Sequence, residues 1–280
     1  MTDEKKDPMT TASPIVGMIV KPTEELTVVP QDLQNSEGLG TEGISKDDLK
    51  PAQLKICQAG SPQRKTDDPK QIVGLSELDL FNDLSNENYG RKLDIVVISM
   101  MGHRNIEFKP GELGVVLDRN VSDDDPRCVW PVGPDGQSLT DEKGKKLKPK
   151  ATKYFNFLLW IPSTFEIAVL SLSSTQTAVA IKFMNMLKLP LKIGKVVIGK
   201  PPSWARTYEI STFMDKDGDL SWGALNLRQI GITPEETRVL CSTLYKTYAG
   251  KEIEIQYAPA PDNANTIERE PVVERTDPGM

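Results

Sequence analysis

The sequence predicts an α+β, mainly β fold: a small antiparallel barrel with one inserted helix, an accessory C-terminal helix and disordered ends. Three observations lead there. Apolar and β-branched runs of strand length recur through the middle of the chain, separated by Asp-Gly, Gly-Pro and Asp-Pro turn steps. Only two segments in that middle carry convincing helical patterning with start signals. Both ends are polar and Pro-rich, without a sustained period, so they cannot bury enough apolar surface to offset the entropy of ordering. The expected division is a disordered arm (1–48), one folded domain (49–258) and a disordered tail (259–280).

In chain order, PAQLKICQAGS (51–61) suggests a short strand with Leu54 and Ile56 on one side, and LSELDLFNDL (75–84) reads as a short helix or a docked loop. LDIVVISMM (93–101) has the composition of a buried strand, and GELGVVL (111–117) offers a second. A turn-rich, charged insertion spans 123–150. In KYFNFLLWI (153–161), alternation puts Phe155, Phe157 and Leu159 on one face and Tyr154, Asn156, Leu158 and Trp160 on the other. FEIAVLSL (165–172) is its hairpin partner. Ser173 or Ser174 can cap a helix to about Leu187 with Val179, Phe183 and Met186 as its apolar stripe. TYEISTF and LSWGALNL flank the MDKDGD turn of a long hairpin. Thr233, Pro234 and Glu236 form a capping box that opens a second helix, and EIEIQY closes the domain as a last strand. Three strands, a helix and two strands is the order of a Greek-key OB barrel, whose groove binds single strands.

Composition narrows the function classes. The longest apolar runs, such as Phe157 to Ile161, are far too short to span a bilayer, and the first residues lack the apolar core of a signal peptide. Three widely spaced cysteines, Cys57, Cys128 and Cys241, point to reduced thiols and a cytoplasmic setting, the host cytoplasm if the source is viral. No phosphate-binding loop, nucleophile elbow or metal-ligand spacing occurs, so neither an enzyme, a metal nor a cofactor is expected. His103, the single histidine, reads as a surface residue in a bend. Asp215, Asp217 and Asp219 resemble a calcium loop only superficially, since Leu220 stands where that loop needs Gly and Asn226 where it needs Glu.

The formal net charge of −6 argues against a nucleic-acid partner only as an average. Acid is concentrated in the ends, whereas residues 143–206 hold twelve basic residues and one acid, Glu166.

Several segments resemble a group of phage proteins that includes single-stranded DNA-binding members of OB fold. They are LKICQAGSP (54–62), DLFNDLSNENYG (79–90), KYFNFLLW (153–160), the Leu172 to Leu187 step with its Ser-Ser-Thr-Gln, and WARTYEIST (204–212). The resemblance implies a phage source and a role in DNA replication or recombination. It also implies a cysteine cluster in the loop before the aromatic strand. Here Cys128 stands alone in a lysine-rich loop, so no zinc site carries over.

The expected function is sequence-nonspecific binding of single-stranded DNA by base stacking and phosphate neutralisation. Tyr154 and Trp160 are the first candidates for stacking, then Trp204 and Tyr208 beside Arg206; each is equally readable as core. Lys153, Lys182, Lys188, Lys192, Lys195 and Lys200 would line one side of a groove. Lys145, Lys146, Lys148 and Lys150, with Lys143, form a loop run that contacts phosphate or is merely solvated. The acidic arms would recruit replication proteins. The competing reading is a non-enzymatic viral structural or protein-interaction module.

Overall fold

The computed structural model describes residues 51–257, except 111, 113, 114, 143, 145, 218, 219, 249–254 and 256. The chain divides into two units, Met1–Leu49 and Lys50–Met280, and every described residue belongs to the second. The segments expected to be disordered, 1–48 and 259–280, lie outside the described residues. So does most of the expected EIEIQY strand, of which only Ile255 and Tyr257 are described; both are buried.

Strands β1 (Leu54–Ile56), β2 (Leu80–Asn82) and β3 (Asn88–Gly90) form a small antiparallel sheet, so the 75–84 segment supplies turns and a strand rather than a helix. The main sheet is built from β4 (Lys92–Phe108), β5 (Val116–Val121), β6 (Ala151–Ile161), β7 (Glu166–Ser173), β10 (Arg206–Asp217) and β11 (Leu220–Ile232). Between its two halves stand helix α1 (Thr177–Lys188) and the hairpin of β8 (Leu191–Ile193) and β9 (Val196–Ile198). Helix α2 (Glu235–Tyr248) follows β11.

The strand order is β11-β10-β4-β6-β7, antiparallel throughout. The 17-residue β4 is the axis of this sheet. Along the edge opposite β6, its first half pairs with β10 and its second half with β5. The change of neighbour coincides with two register shifts against β6, and Gly102 at φ +83° sits in the second of them. A bulge there bends and twists the strand, as an extra unpaired residue does. His103 follows it inside β4, not in a bend, tilted against Phe155 with ring centroids 6.0 Å apart.

Strand alternation splits the apolar residues into two layers. Leu93, Ile95, Val97, Phe155, Phe157, Leu159, Leu170, Tyr208, Ile210, Leu225 and Leu227 face inward as the main core, and Ala180 and Phe183 of α1 join it. Phe183 sits 5.0 Å from Phe157 and 5.0 Å from Tyr208, centroid to centroid. Fully burying such a side chain contributes about 1.5–3 kcal/mol, so the inserted helix is held by this aromatic contact. The helix starts later than its serines suggest: Ser173 stays in the β7 ladder opposite Tyr154, and Ser174 to Gln176 form a 3-10 turn first.

Among the described residues, no ladder joins β7 directly to β11, and no closed barrel forms. Residues 52–58 span the gap instead. Gln53 bridges Val169 in parallel, with the Val169 N–H donating to the Ala52 carbonyl at 2.7 Å. Gln58 then pairs with the Gly223 backbone, accepting from its N–H at 2.8 Å and donating to its carbonyl at 3.3 Å. Gly223 allows this approach: a Cβ there would lie 2.9 Å from both Ile56 Cγ2 and Leu78 Cδ2.

The outer face of β4, β6 and β7 is a second apolar layer. Val96, Ile98, Tyr154, Leu158, Trp160 and Val169 lie under Cys241, Ile255 and Tyr257, with Leu244 and Tyr248 packed alongside. Burial pushes the Cys241 thiol up to about 12. No helix among the described residues is long and apolar enough to cross a membrane.

Candidate nucleic-acid interface

The aromatic residues expected to stack on bases are not at the surface. Tyr154 is 4% exposed and Trp160 7%, both beneath the C-terminal layer. Tyr154 lies 4.8 Å from Tyr257, ring to ring, and its phenol is raised well above the ordinary value by burial. Trp160 meets Phe165 edge-on at 5.8 Å. Tyr208 is fully buried in the main core. Trp204 is half-buried, 4.9 Å from Tyr245 of α2. None of the three buried rings offers the open π-face that a stacked base requires.

Arg206 is likewise interior. Its Nη2 donates to the Leu189 carbonyl at 2.7 Å and the Pro190 carbonyl at 2.8 Å. That ties the end of α1 and the base of the β8–β9 hairpin to the start of β10, a structural task rather than a phosphate contact.

The lysines fall into two groups rather than one groove. Lys188, Lys192, Lys195 and Lys200 are exposed at the C-terminal end of α1 and on the β8–β9 hairpin, with Lys182 midway along the helix. Lys146, Lys148 and Lys150 are exposed on the loop before β6, and Lys153 is half-buried in β6; Lys145 lies outside the described residues. Between them runs the 12-residue α1, about 18 Å long at 1.5 Å per residue.

At the N-terminal end of α1 lies a cleft of about 520 Å³ that brings together parts of the insertion, β4, β6 and the helix start. Asn105, Cys128, Trp130, Lys148, Lys153 and Thr175 are among the residues that line it. Trp130 is 52% exposed. Nothing in the sequence singles it out, because PRCVWPVG has no strand or helix pattern to say where an isolated ring would point.

The insertion is braced where it leaves β5. Arg127 donates to Glu107 at 2.6 Å and to Asp125 at 2.8 Å, with Asp118 at 3.2 Å. The guanidinium holds the Asp125 carboxyl at about 2, and the Asp125 carboxylate also accepts from the Arg127 backbone N–H at 2.9 Å. Beside it, Asp123 accepts from Asn105 Nδ2 at 2.9 Å and Lys153 Nζ at 2.9 Å, and meets His103 Nε2 at 2.7 Å. Those bonds, that of Asn105 first, keep Asp123 well below the usual carboxylate range. Lys153 is thereby committed to a carboxylate. The Cys128 thiol is raised, chiefly by burial and then by Asp125 and Asp123, and its Sγ lies 3.3 Å from the Ser122 carbonyl.

The described residues thus form a sheet domain with a cleft of about 520 Å³ that is lined by Lys148, Lys153 and a half-exposed indole. A family model described as Pam3 phage gp34-like protein matches residues 23–254, and the chain belongs to that family of phage proteins. No curated protein and no solved structure matches it.

Proposed function

We propose that the chain is a sequence-nonspecific single-stranded DNA-binding protein of OB topology, acting in phage DNA replication or recombination. The strand path supports the OB reading. With β4, β6 and β7 as the first three strands, α1 as the inserted helix and β10 and β11 as the last two, the observed order β11-β10-β4-β6-β7 is the order of that barrel with its seam filled by residues 52–58. OB folds bind oligonucleotides across the second and third strands and with the loops between the first and second and between the fourth and fifth. Here the second and third strands are covered, and the connection between β4 and β6, which carries Trp130, is the binding element of this reading.

The observation that carries the reading is Trp130, half-exposed in the cleft that Lys148 also lines. A base stacked on an aromatic ring contributes about 1–3 kcal/mol, and nearby lysines neutralise phosphate without reading sequence. In this reading Lys146, Lys148 and Lys150 follow the backbone while the acidic ends recruit replication proteins.

The test is a fluorescence-anisotropy titration of the full chain with labelled oligo-dT, repeated with duplex and across salt concentrations. Saturable binding to the single strand, clearly weaker binding to duplex, and a log–log salt slope of roughly −0.7 per neutralised phosphate are expected. No saturable binding even at low salt would sink the proposal.

A further inference from the structure

The β8–β9 hairpin is the other basic feature of the molecule, and its chemistry differs from that of the cleft. Register pairs Leu191 with Ile198, Lys192 with Val197, and Ile193 with Val196. Alternation therefore puts Leu191, Ile193, Val196 and Ile198 on one wholly apolar face and Lys192 with Val197 on the other. Leu191, at the base, is 6% exposed, but exposure rises to 43% at Ile193 and 64% at Val196 near the tip. Gly194 at φ +58° followed by Lys195 makes the Gly-X two-residue turn that suits a tight hairpin.

An isolated two-stranded ribbon is marginal in water unless something holds it. The base of this one is held by Arg206, whose guanidinium grips the Leu189 and Pro190 carbonyls. Its outer part is left as an exposed apolar face. The two strands form a sheet of their own among the described residues, so each offers an unpaired edge. No acid occurs between Glu166 and Glu209, whereas Lys188, Lys192, Lys195 and Lys200 surround the hairpin.

From this we infer that the hairpin is a docking site for an extended segment of a partner protein in which apolar and acidic residues alternate. Such a segment adds as a strand to one free edge. Its apolar side chains then continue the Ile193, Val196 and Ile198 face, and its carboxylates fall on the Lys192 face, because side chains one residue apart point to opposite sides. Charge complementarity selects this occupant. The hairpin of a second copy would set lysines against lysines, and a nucleic acid would find no aromatic ring between Phe183 and Trp204 on which to stack.

The experiment uses the full chain and a fluorescein-labelled ten-residue peptide alternating valine and glutamate. Its comparisons are the same design with lysine for glutamate, phosphatidylglycerol vesicles and oligo-dT, with light scattering for self-association. Saturable binding of the valine–glutamate peptide is expected, at least tenfold weaker in Ile193→Ser/Val196→Ser and in Lys192→Glu/Lys195→Glu. These side chains are exposed, so an unchanged melting temperature verifies that both variants fold; should one variant melt early, the other carries the test. The Ile193→Ser/Val196→Ser variant is expected to keep wild-type affinity for oligo-dT, which separates this site from the cleft. The inference is overturned by absence of peptide binding, by equal binding of the lysine peptide, or by unchanged affinity in the folded variants. It is also overturned if what the serine variant loses is vesicle binding, DNA binding or self-association.

Discussion

Aromatic side chains occur in two regions of this molecule with opposite fates. On β6, Tyr154 and Trp160 stand on the outer face, where a strand-binding barrel would display them, yet α2 and residues 255 and 257 cover that face. In the connection between β4 and β6, Trp130 has no such cover among the described residues and is half-exposed beside Lys148. The difference teaches that composition and alternation identify which face of a strand a ring occupies but not whether a later segment will lie upon it. Exposure, and with it the capacity to stack, was assigned by chain far downstream.

The sharpest way to break this comparison is to truncate one ring from each region. Trp160→Ala is expected to cost about 3–5 kcal/mol of stability, as for other large buried aromatics, measured by chemical denaturation. Retained stability with lost oligo-dT affinity would return Trp160 to the binding surface. Trp130→Ala should leave stability within about 0.5 kcal/mol, as surface substitutions usually do. It should weaken oligo-dT binding by about 1–3 kcal/mol; unchanged affinity would remove the indole from the interface.

The lysines sharpen the same contrast on a smaller scale. Replacing Lys146, Lys148 and Lys150 by Gln should flatten the salt slope by roughly 0.7 for each phosphate no longer neutralised. The same change at Lys188, Lys192 and Lys195, at the far end of α1, should leave the slope as it was. Cys128 provides a direct reporter, since Cys57 and Cys241 are fully buried and it is not. Maleimide should label it alone in the native protein, faster as pH rises because the thiol is held up by burial, and more slowly when oligo-dT fills the cleft.

The smallest effect concerns the brace beneath the cleft. Asp123 is held below its ordinary value by Asn105, Lys153 and His103, so its contribution is fully present above about pH 4 and fades as pH falls through the depressed value. The indole N–H resonance of Trp130 should therefore show a shift below about pH 4, and Asp123→Asn should abolish that acid shift. A shift centred above pH 5 would assign the coupling to another group.

The sequence by itself determined the two hairpins β6–β7 and β10–β11, because period-two patterning in KYFNFLLWI, EIAVLSL, TYEISTF and LSWGALNL is a local consequence of pleat geometry, whereas the pairing of β4 with β6 and β10 was not legible and β5 falls at Val116–Val121 rather than at 111–117. It likewise determined α1, whose Phe183 is buried in the predicted stripe. Local pattern also isolated the basic stretch from an acidic chain. Tertiary structure alone decided that Tyr154, Trp160 and Tyr208 are core, that Arg206 serves backbone carbonyls, and that the described lysines lie at both ends of α1. It also placed Trp130 beside Lys148. The physical reason is that each of these outcomes depends on which segments meet across long stretches of chain, as Gln58 meets Gly223, and side-chain periodicity within one element carries no information about what packs against it.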